Sequence, residues 1–341
     1  MRILISILSD YLHPNFLLIK EFEGKYDQLE FVSTARMESD EKKKSHWLCK
    51  ALGLEDAARK VIVVQEDDYV KITEALAARG FSKEDTYTIN LTGGTKVMTA
   101  AVCDFFKHNG YDASFYYVPI GKNEVREFYG GFPSPLAYQM SLGEYMTING
   151  LRFEAQNGLL KPADTTMRLF EEFKRRHFDP RGFKAIEDLG QYSTPEDRRY
   201  YGGEWFEEYC YLRLKKELGL PDAAICKNAK IYREASANND NEIDVMFVKN
   251  NKLHLFECKV TMFGYGGKAA GTIETIQYKL AAIAKDFGLV VDSYLLTLHK
   301  LHTPRKFSED SLRQIEKRAR ILGIRGVLDD TAFVQRKLPI R

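Results

Sequence analysis

The chain has 341 residues, of which 44% are hydrophobic and 29% are charged, and its formal net charge is +2. This length suits two domains, and the composition is that of a soluble globular protein rather than a disordered one. No apolar stretch reaches the ~20 residues that a membrane-spanning helix needs. The five cysteines are scattered without C-x-x-C spacing, and no secretory signal opens the sequence. We therefore expect neither a disulfide framework, a structural zinc site nor a membrane partner, and we expect a cytoplasmic protein.

The two halves of the sequence differ in charge. Residues 1–150 contain 17 basic and 21 acidic side chains, whereas residues 151–341 contain 33 and 27. A basic second half is a weak indication of a polyanionic partner. From charge alone, a charged face exposed to water explains it equally well.

The first half alternates strand and helix signals. We predict strands at Ile3–Leu8, Leu29–Ser33, Lys60–Val64, Thr86–Leu91 and Ala113–Pro119. We predict helices between them at Asn15–Glu23, Glu38–Leu52, Asp68–Arg79 and Lys96–His108. This alternation predicts an α/β fold with a doubly wound parallel sheet, and such sheets bind ligands at the carboxyl ends of their strands.

Glycines and prolines from Gly130 to Pro135 interrupt this alternation, and we place the domain boundary between residues 142 and 143. Helical signals dominate from there to about Leu220. The later predicted elements are strands around Ile231 and at Ile243–Val248, Leu253–Val260 and Val290–Thr297, and helices at Thr272–Asp286 and Ser308–Leu322.

A glycine-rich turn joins the fourth predicted strand directly to a helix, with the sequence Thr92-Gly93-Gly94-Thr95-Lys96. The glycines permit a tight turn with exposed N–H groups, and the helix N-terminus adds a partial positive charge. Threonine hydroxyls and a lysine complete a set of groups suited to phosphates. The spacing is neither that of a P-loop nor that of a dinucleotide-binding fingerprint, and a tight turn without a ligand is the alternative.

The loop after the first strand would face the same crevice. Ser9 and Asp10 end that strand, and Pro14-Asn15 opens the next helix. If the first and fourth strands are neighbours, both loops lie at one edge of the sheet. Because this half of the chain is net acidic, local backbone donors rather than a broad positive field would have to hold an anion.

Two apolar runs flank the turn-forming residues 249–252 and predict a β-hairpin. With the turn centred on that segment, Asp244 lies opposite Glu257. Glu242 then lies opposite Lys259, and all four side chains share one face. Facing carboxylates repel each other, and a divalent cation between them removes the repulsion; oxygen ligands suit Mg²⁺ or Mn²⁺. Lys259 would then orient water or stabilise charge on a phosphate, as phosphodiester hydrolysis requires. A solvated ladder of cross-strand charges is the alternative.

An acidic helix start could complete this site. Residues 203–208 open an amphipathic helix, in which Glu207 or Glu208 would lie near the cation. Acidic residues in a first helical turn also suit the helix dipole, and that explanation is as good without further information.

Together these residues resemble a known family, the CRISPR-associated ancillary nucleases that join a CARF domain to a PD-(D/E)XK restriction-endonuclease-like domain. In the first half the resemblance rests on Ser9-Asp10, Pro14-Asn15 and residues 90–96. In the second half it rests on residues 203–208, 242–244 and 257–259, with weaker similarity at 277–280 and 318–320.

The resemblance implies a Rossmann-like CARF domain over residues 1–142, followed by a linker and a nuclease domain over residues 143–341. CARF domains bind cyclic oligoadenylates made by type III CRISPR complexes. The usual activator in this subfamily is cyclic tetra-adenylate, bound across the two-fold axis of a homodimer. The implied substrates are single-stranded DNA and RNA, cleaved with Mn²⁺ or Mg²⁺.

By position, the resemblance makes Asp244 and Glu257 the metal-binding acids and Lys259 the catalytic lysine. Glu207 matches the acidic helix residue, with Glu204 and Glu208 as the other candidates. The residues that match the activator-binding loops are Ser9, Asp10, Asn15, Thr92, Gly93, Gly94, Thr95 and Lys96.

Two other functions are possible for such a chain. A CARF-like sensor with a non-catalytic second domain would bind nucleic acid as a regulator, but the complete set of Asp244, Glu257 and Lys259 favours an enzyme. A HEPN ribonuclease domain needs an arginine followed four to six residues later by a histidine, and none of the seven histidines has an arginine at that spacing.

Overall fold

The computed structural model describes residues 1–156, 158–179, 194–233, 236, 238, 241–262, 269–289, 291–302 and 308–340. The chain forms two compact units, Met1–Arg152 and Phe153–Arg341. Helix Leu142–Ile148 spans the boundary expected between residues 142 and 143, and it is part of the first unit.

The first unit is built on a mainly parallel sheet. Its strands are β1 (Arg2–Ile7), β2 (Gln28–Thr34), β3 (Lys60–Val64), β4 (Thr86–Asn90), β5 (Asp112–Tyr117), β6 (Glu124–Glu127) and β7 (Ser134–Pro135). Its helices are α1 (His13–Glu21), α2 (Lys44–Ala51), α3 (Tyr69–Arg79), α4 (Lys96–His108) and α5 (Leu142–Ile148).

Within the described part of the chain, these strands form one sheet in the order β3-β2-β1-β4-β5-β6-β7. Strands β1 to β5 are parallel, which confirms the predicted doubly wound sheet. The pairing of β1 with β4 makes this the point where the strand order reverses, and loops at that point form the ligand-binding crevice of such sheets. Apolar side chains of β1 and β4 pack against Met98, Val102 and Phe106 of α4 in the core.

Two features of this unit differ from the prediction. The antiparallel strands β6 and β7 extend the sheet at one edge; β6 has only one buried residue, Val125, so its apolar signal is weak. The helix expected at Glu38–Leu52 begins only at Lys44. The Glu38 carboxylate accepts hydrogen bonds from the hydroxyls of Ser33 and Ser45 and holds the preceding segment in turns.

The second unit contains β8 (Leu151–Gln156, which begins in the first unit), β9 (Ile225–Arg233), β10 (Asn241–Lys249), β11 (Lys252–Lys259), β12 (Val291–Thr297) and β13 (Gly326–Leu328). Its helices are α6 (Ala163–Arg175), α7 (Pro195–Arg199), α8 (Trp205–Leu218), α9 (Ala269–Asp286), α10 (Glu309–Ile321) and α11 (Asp330–Phe333).

In the described residues these strands form a sheet in the order β13-β12-β11-β10-β9-β8, antiparallel from β9 to β11 and parallel from β11 to β13. Helix α8 packs on this sheet through Trp205, Phe206 and Cys210 against β-strand residues such as Phe247 and Phe256. Strand β8 was not predicted, since only its first residue is fully buried and its pattern has little apolar alternation. The predicted start of β12, Val290, lies outside the described residues. None of the described helices has the length and apolar character needed to cross a bilayer.

Candidate active site and phosphate-binding site

The hairpin of β10 and β11 has the register that the sequence predicts. Its paired residues run from Val245 opposite Phe256 to Lys249 opposite Lys252. Asn250 and Asn251 both have positive φ, 50° and 59°, which is the backbone of a tight two-residue hairpin turn and is accessible to asparagine. One step beyond the Val245–Phe256 pair, this register places Asp244 opposite Glu257.

The lysine ammonium lies between the two carboxylates. Lys259 Nζ is 3.0 Å from Asp244 Oδ2 and 2.9 Å from Glu257 Oε1. The backbone N–H of Cys258 also donates to Asp244 Oδ2 at 2.6 Å. Asp244 is 9% exposed and Glu257 is 4% exposed. Although burial lowers the pKa of Lys259, attraction by the two carboxylates raises it above its ordinary value, so this lysine is an ammonium at neutral pH.

Helix α8 adds a third carboxylate at its first turn. Burial, reinforced by repulsion from Asp244, raises the pKa of Glu207 to about 8, against the attraction of Lys259. Burial and repulsion from Glu257 likewise raise the pKa of Asp244. Glu204 adds to the repulsion on Glu207. Three acidic groups therefore share one site, where burial and mutual repulsion oppose the ionisation of Glu207 and Asp244.

Glu208 belongs to a different environment. Its fully buried carboxylate lies 3.1 Å from the ammonium of Lys227, which is also fully buried. It accepts hydrogen bonds from the backbone N–H of Leu160 at 2.5 Å and from the hydroxyl of Thr166 at 3.4 Å. Of the two adjacent glutamates, Glu207 is thus the one that interacts with Asp244 and Glu257, a choice that residue type alone leaves open.

A second lysine reaches the site from α9. Lys279 Nζ lies 3.1 Å and 3.3 Å from the two carboxylate oxygens of Glu257. Its side chain is 44% exposed, so it approaches the buried carboxylate from the solvent side. In the sequence, only the weak similarity at residues 277–280 drew attention to this segment.

The carboxylate groups of this site are chemically suited to bind a divalent cation. The carboxylate oxygens of Asp244 and Glu257 are hard ligands of the kind that Mg²⁺ and Mn²⁺ take. Burial and then repulsion between the carboxyl groups raise the pKa values of Asp244 and Glu207, and a cation bound there would relieve that repulsion. Among the described residues, however, no three His, Cys, Asp or Glu side chains are arranged to hold a metal ion. In this structure Lys259 Nζ lies between the two hairpin carboxylates.

In the first unit, the glycine-rich turn lies directly against the end of β1. A Cβ atom on Gly93 would stand 1.9 Å from the carbonyl oxygen of Ile7, so only glycine fits there. Gly94 has φ of +75°. Thr95 caps α4, because its hydroxyl oxygen accepts the N–H of Met98 at 3.2 Å. The turn and the start of α4 line an open cavity of about 410 Å³ together with the exposed rings of Phe128 and Tyr129.

The other predicted residues of this site divide into two groups. Asn15 is fully buried and donates to the hydroxyl of Ser6 at 2.9 Å and to the carbonyl oxygen of Ile7 at 2.7 Å. It therefore braces the end of β1 from inside. Asp10 and Lys96 are exposed, and Ser9, whose hydroxyl donates to the carbonyl oxygen of Tyr11 at 3.3 Å, is half-buried.

Three cations that sequence analysis did not single out converge on the loop after β1. Lys42 forms an ion pair with the Asp10 carboxylate, and Lys44 Nζ donates to the Asp10 carbonyl oxygen at 2.6 Å. Arg36 lies 3.9 Å from the same carboxylate. Against the effect of burial, these cations lower the pKa of Asp10. They supply a local positive charge in a unit that is acidic as a whole.

Known proteins match both units. A sequence profile of the Card1 CARF domain matches residues 3–145, and one of the Card1-like endonuclease domain matches residues 194–331. No curated protein matches the chain.

Three solved structures share the fold at low sequence identity. Protein VC1899 from Vibrio cholerae is 16% identical with a TM-score of 0.70, over 97% of this chain and 94% of its own. Can2 from Sulfobacillus thermosulfidooxidans, solved with cyclic tetra-adenylate, is 18% identical with a TM-score of 0.69, over 97% and 96%. A type III CRISPR defence DNA nuclease activated by cyclic oligoadenylate is 17% identical with a TM-score of 0.57, over 87% of this chain but 45% of its own. The chain thus belongs to the proteins that join a CARF domain of the Card1 type to a Card1-like endonuclease domain.

Proposed function

We propose that this protein is a metal-dependent nuclease that cyclic tetra-adenylate activates and that cleaves single-stranded DNA, single-stranded RNA or both in type III CRISPR defence. The observation that carries the proposal is the cluster at the end of the β10–β11 hairpin. There Lys259 lies within 3.0 Å of both Asp244 and Glu257, beside a Glu207 whose pKa is about 8.

Each residue of this cluster has a definite task in phosphodiester hydrolysis. A divalent cation such as Mn²⁺ or Mg²⁺ would supply Lewis-acid activation of the phosphate and of the attacking water. Asp244 and Glu257 would hold that cation through their carboxylates. Lys259 Nζ would donate to a non-bridging phosphate oxygen, where negative charge develops in the transition state. Glu207 would accept a hydrogen bond from the attacking water and orient it.

The activator would bind at the carboxyl ends of β1 and β4. Backbone N–H groups of Thr92–Lys96 and the start of α4 are suited to the repeated phosphates of a cyclic oligoadenylate. Lys96, Lys42 and Lys44 would add positive charge, and Ser9 and Asp10 would contact the nucleoside groups. Can2, which shares the fold, was solved with cyclic tetra-adenylate, and this supports the ring size.

The cyclic ligand would bind across a homodimer, with residues 1–142 of each copy forming half of the pocket. A ring of repeated units matches a two-fold axis, since each subunit then contacts equivalent phosphates. Binding would favour the arrangement of the two nuclease domains, residues 143–341, that is competent for cleavage.

A factorial cleavage assay tests this function. The full-length protein is incubated with labelled single-stranded DNA, single-stranded RNA and plasmid, with Mn²⁺ or EDTA, and with or without cyclic tetra-adenylate. We expect cleavage of at least one single-stranded substrate only when both Mn²⁺ and the cyclic nucleotide are present. Equal cleavage without the nucleotide would overturn the activation, and no cleavage under any condition would leave a sensor that binds nucleic acid without cutting it.

A further inference from the structure

Lys279 reaches the proposed nuclease site from α9, whereas Asp244, Glu257 and Lys259 belong to the hairpin and Glu207 to the start of α8. It projects from α9 at the edge of the buried face of that helix, since buried Ile276 and Ile283 are three residues before it and four residues after it. Fully buried Gln277 donates to the carbonyl oxygen of Ile315 at 3.0 Å and joins α9 to α10. Since residues 277 and 279 are about 200° apart around the helix, this anchor orients Lys279 away from α10 and toward Glu257.

The two lysines beside Glu257 differ in the carboxylates that they contact. Lys259 is shared between Asp244 and Glu257, whereas Lys279 contacts Glu257 on both carboxylate oxygens. Two ammonium groups therefore flank the Glu257 carboxylate. A phosphodiester carries one negative charge, which an ammonium group at the edge of the site attracts.

The exposure of the two lysines separates their tasks. The side chain of Lys279 is 44% exposed at the mouth of the site, and that of Lys259 is 35% exposed between the carboxylates. An ammonium group at this exposed position meets the nucleic-acid strand before the buried groups do. The phosphate that it contacts need not be the scissile phosphate. When a cation binds Glu257, Lys279 loses its pairing with that carboxylate. Its ammonium group is then available to contact the phosphate.

We propose that Lys279 is a substrate-binding residue, which contacts a backbone phosphate of the nucleic-acid strand and guides it onto Asp244, Glu257 and Lys259. This inference rests on the proposed nuclease function and adds a residue from α9 to its substrate site. The contact is electrostatic and independent of base identity, so it serves DNA and RNA alike.

Salt dependence of binding tests the contact directly. The anisotropy of a labelled single-stranded DNA and a labelled single-stranded RNA is measured in titrations with the full-length Asp244→Asn protein, which is made to prevent cleavage, and with the same protein carrying Lys279→Gln or Lys279→Arg. Cyclic tetra-adenylate and Mg²⁺ are present throughout, and the cleavage and binding of the unsubstituted wild type are measured separately. Lys285→Ala, an exposed lysine in the last turn of the same helix, is the matched control.

For a single strand, each phosphate that a lysine neutralises adds about 0.7 to the steepness with which log K falls against log salt. We expect Lys279→Gln to reduce the steepness by about that amount and to weaken binding several-fold at low salt, with Lys279→Arg and Lys285→Ala unchanged. An unchanged slope in Lys279→Gln overturns this inference and leaves the nuclease proposal intact if the wild type cleaves. Equal losses in Lys279→Gln and Lys279→Arg also overturn it, because the charge would then not be what binds. Failure of the wild type both to bind and to cleave overturns the inference and the proposed function together.

Discussion

Glu207 and Glu208 are neighbours in sequence with opposite surroundings. Glu208 is paired with buried Lys227, so removing its carboxylate leaves an uncompensated ammonium in the interior. We expect Glu208→Ala to lower the free energy of unfolding by about 3–5 kcal/mol. Glu207→Gln removes the repulsion between Glu207 and Asp244, so we expect it not to lower the free energy of unfolding. We expect the same variant to lose cleavage.

Urea unfolding of both variants measures this difference. The double variant Glu208→Leu/Lys227→Met is the control, since replacing both charges by apolar groups should recover most of the stability. Wild-type stability in Glu208→Ala would contradict the assigned ion pair.

His13 gives the first unit a dependence on pH. It is buried between the rings of Tyr11 and Tyr145, and burial lowers its pKa to about 3, with Lys44 adding to the effect. Between that value and the ordinary 6.5, the unfolded chain binds a proton that the folded chain does not, so stability falls as the pH falls below about 6.5. We expect His13→Phe to reduce the loss of unfolding free energy between pH 7 and pH 5 by about 2 kcal/mol.

Chemical unfolding at the two pH values checks this effect. A variant at an exposed histidine, His108→Phe, should lose as much stability as the wild type over the same interval. Identical profiles for wild type and His13→Phe would show that His13 is protonated in the folded state.

At the scale of elements, the proposed activator site depends on the close approach of β1 and the glycine-rich turn. A methyl group on Gly93 would collide with the backbone of Ile7, and the collision can be relieved only if the turn moves away from β1. We expect Gly93→Ala to weaken the binding of cyclic tetra-adenylate by about tenfold or more, a cost of about 1.4 kcal/mol.

Calorimetric titration of cyclic tetra-adenylate measures this loss. Gly130→Ala is the matched control in the same unit, because a Cβ there meets no atom within 4 Å. Equal affinities in Gly93→Ala and wild type would place the activator elsewhere.

The elements also explain how much could be read from the sequence. Strand alternation and a two-asparagine turn determine the register, so the positions of Asp244, Glu257 and Lys259 on one face were predictable. Lys279 was not, because its contact depends on how α9 packs, and that information lies in apolar residues far apart in the chain. Arg36, Lys42 and Lys44 were missed for a similar reason, since their approach to Asp10 depends on the turns that replace the start of the helix expected at Glu38–Leu52. The edge strands β6 to β8 were missed because few of their residues are buried.

For the molecule as a whole, the proposed function requires that one domain binds the activator and the other cleaves nucleic acid. We expect Lys96→Ala to raise the concentration of cyclic tetra-adenylate needed for half-maximal cleavage by about tenfold or more, since it removes a charge at the start of α4. The Mn²⁺ concentration for half-maximal cleavage should not change. Lys71→Ala, an exposed lysine on α3, should behave as the wild type. A parallel loss of Mn²⁺ affinity in Lys96→Ala would contradict this separation of tasks.

The most direct test of the central claim is the rate of single-turnover cleavage by Asp244→Asn and Glu257→Ala at saturating cyclic tetra-adenylate and Mn²⁺. The cluster of Asp244, Glu257 and Lys259 predicts that both variants bind the activator as the wild type does and lose about a thousandfold or more in cleavage rate. Cleavage at the wild-type rate in either variant would contradict the claim that this cluster hydrolyses the phosphodiester.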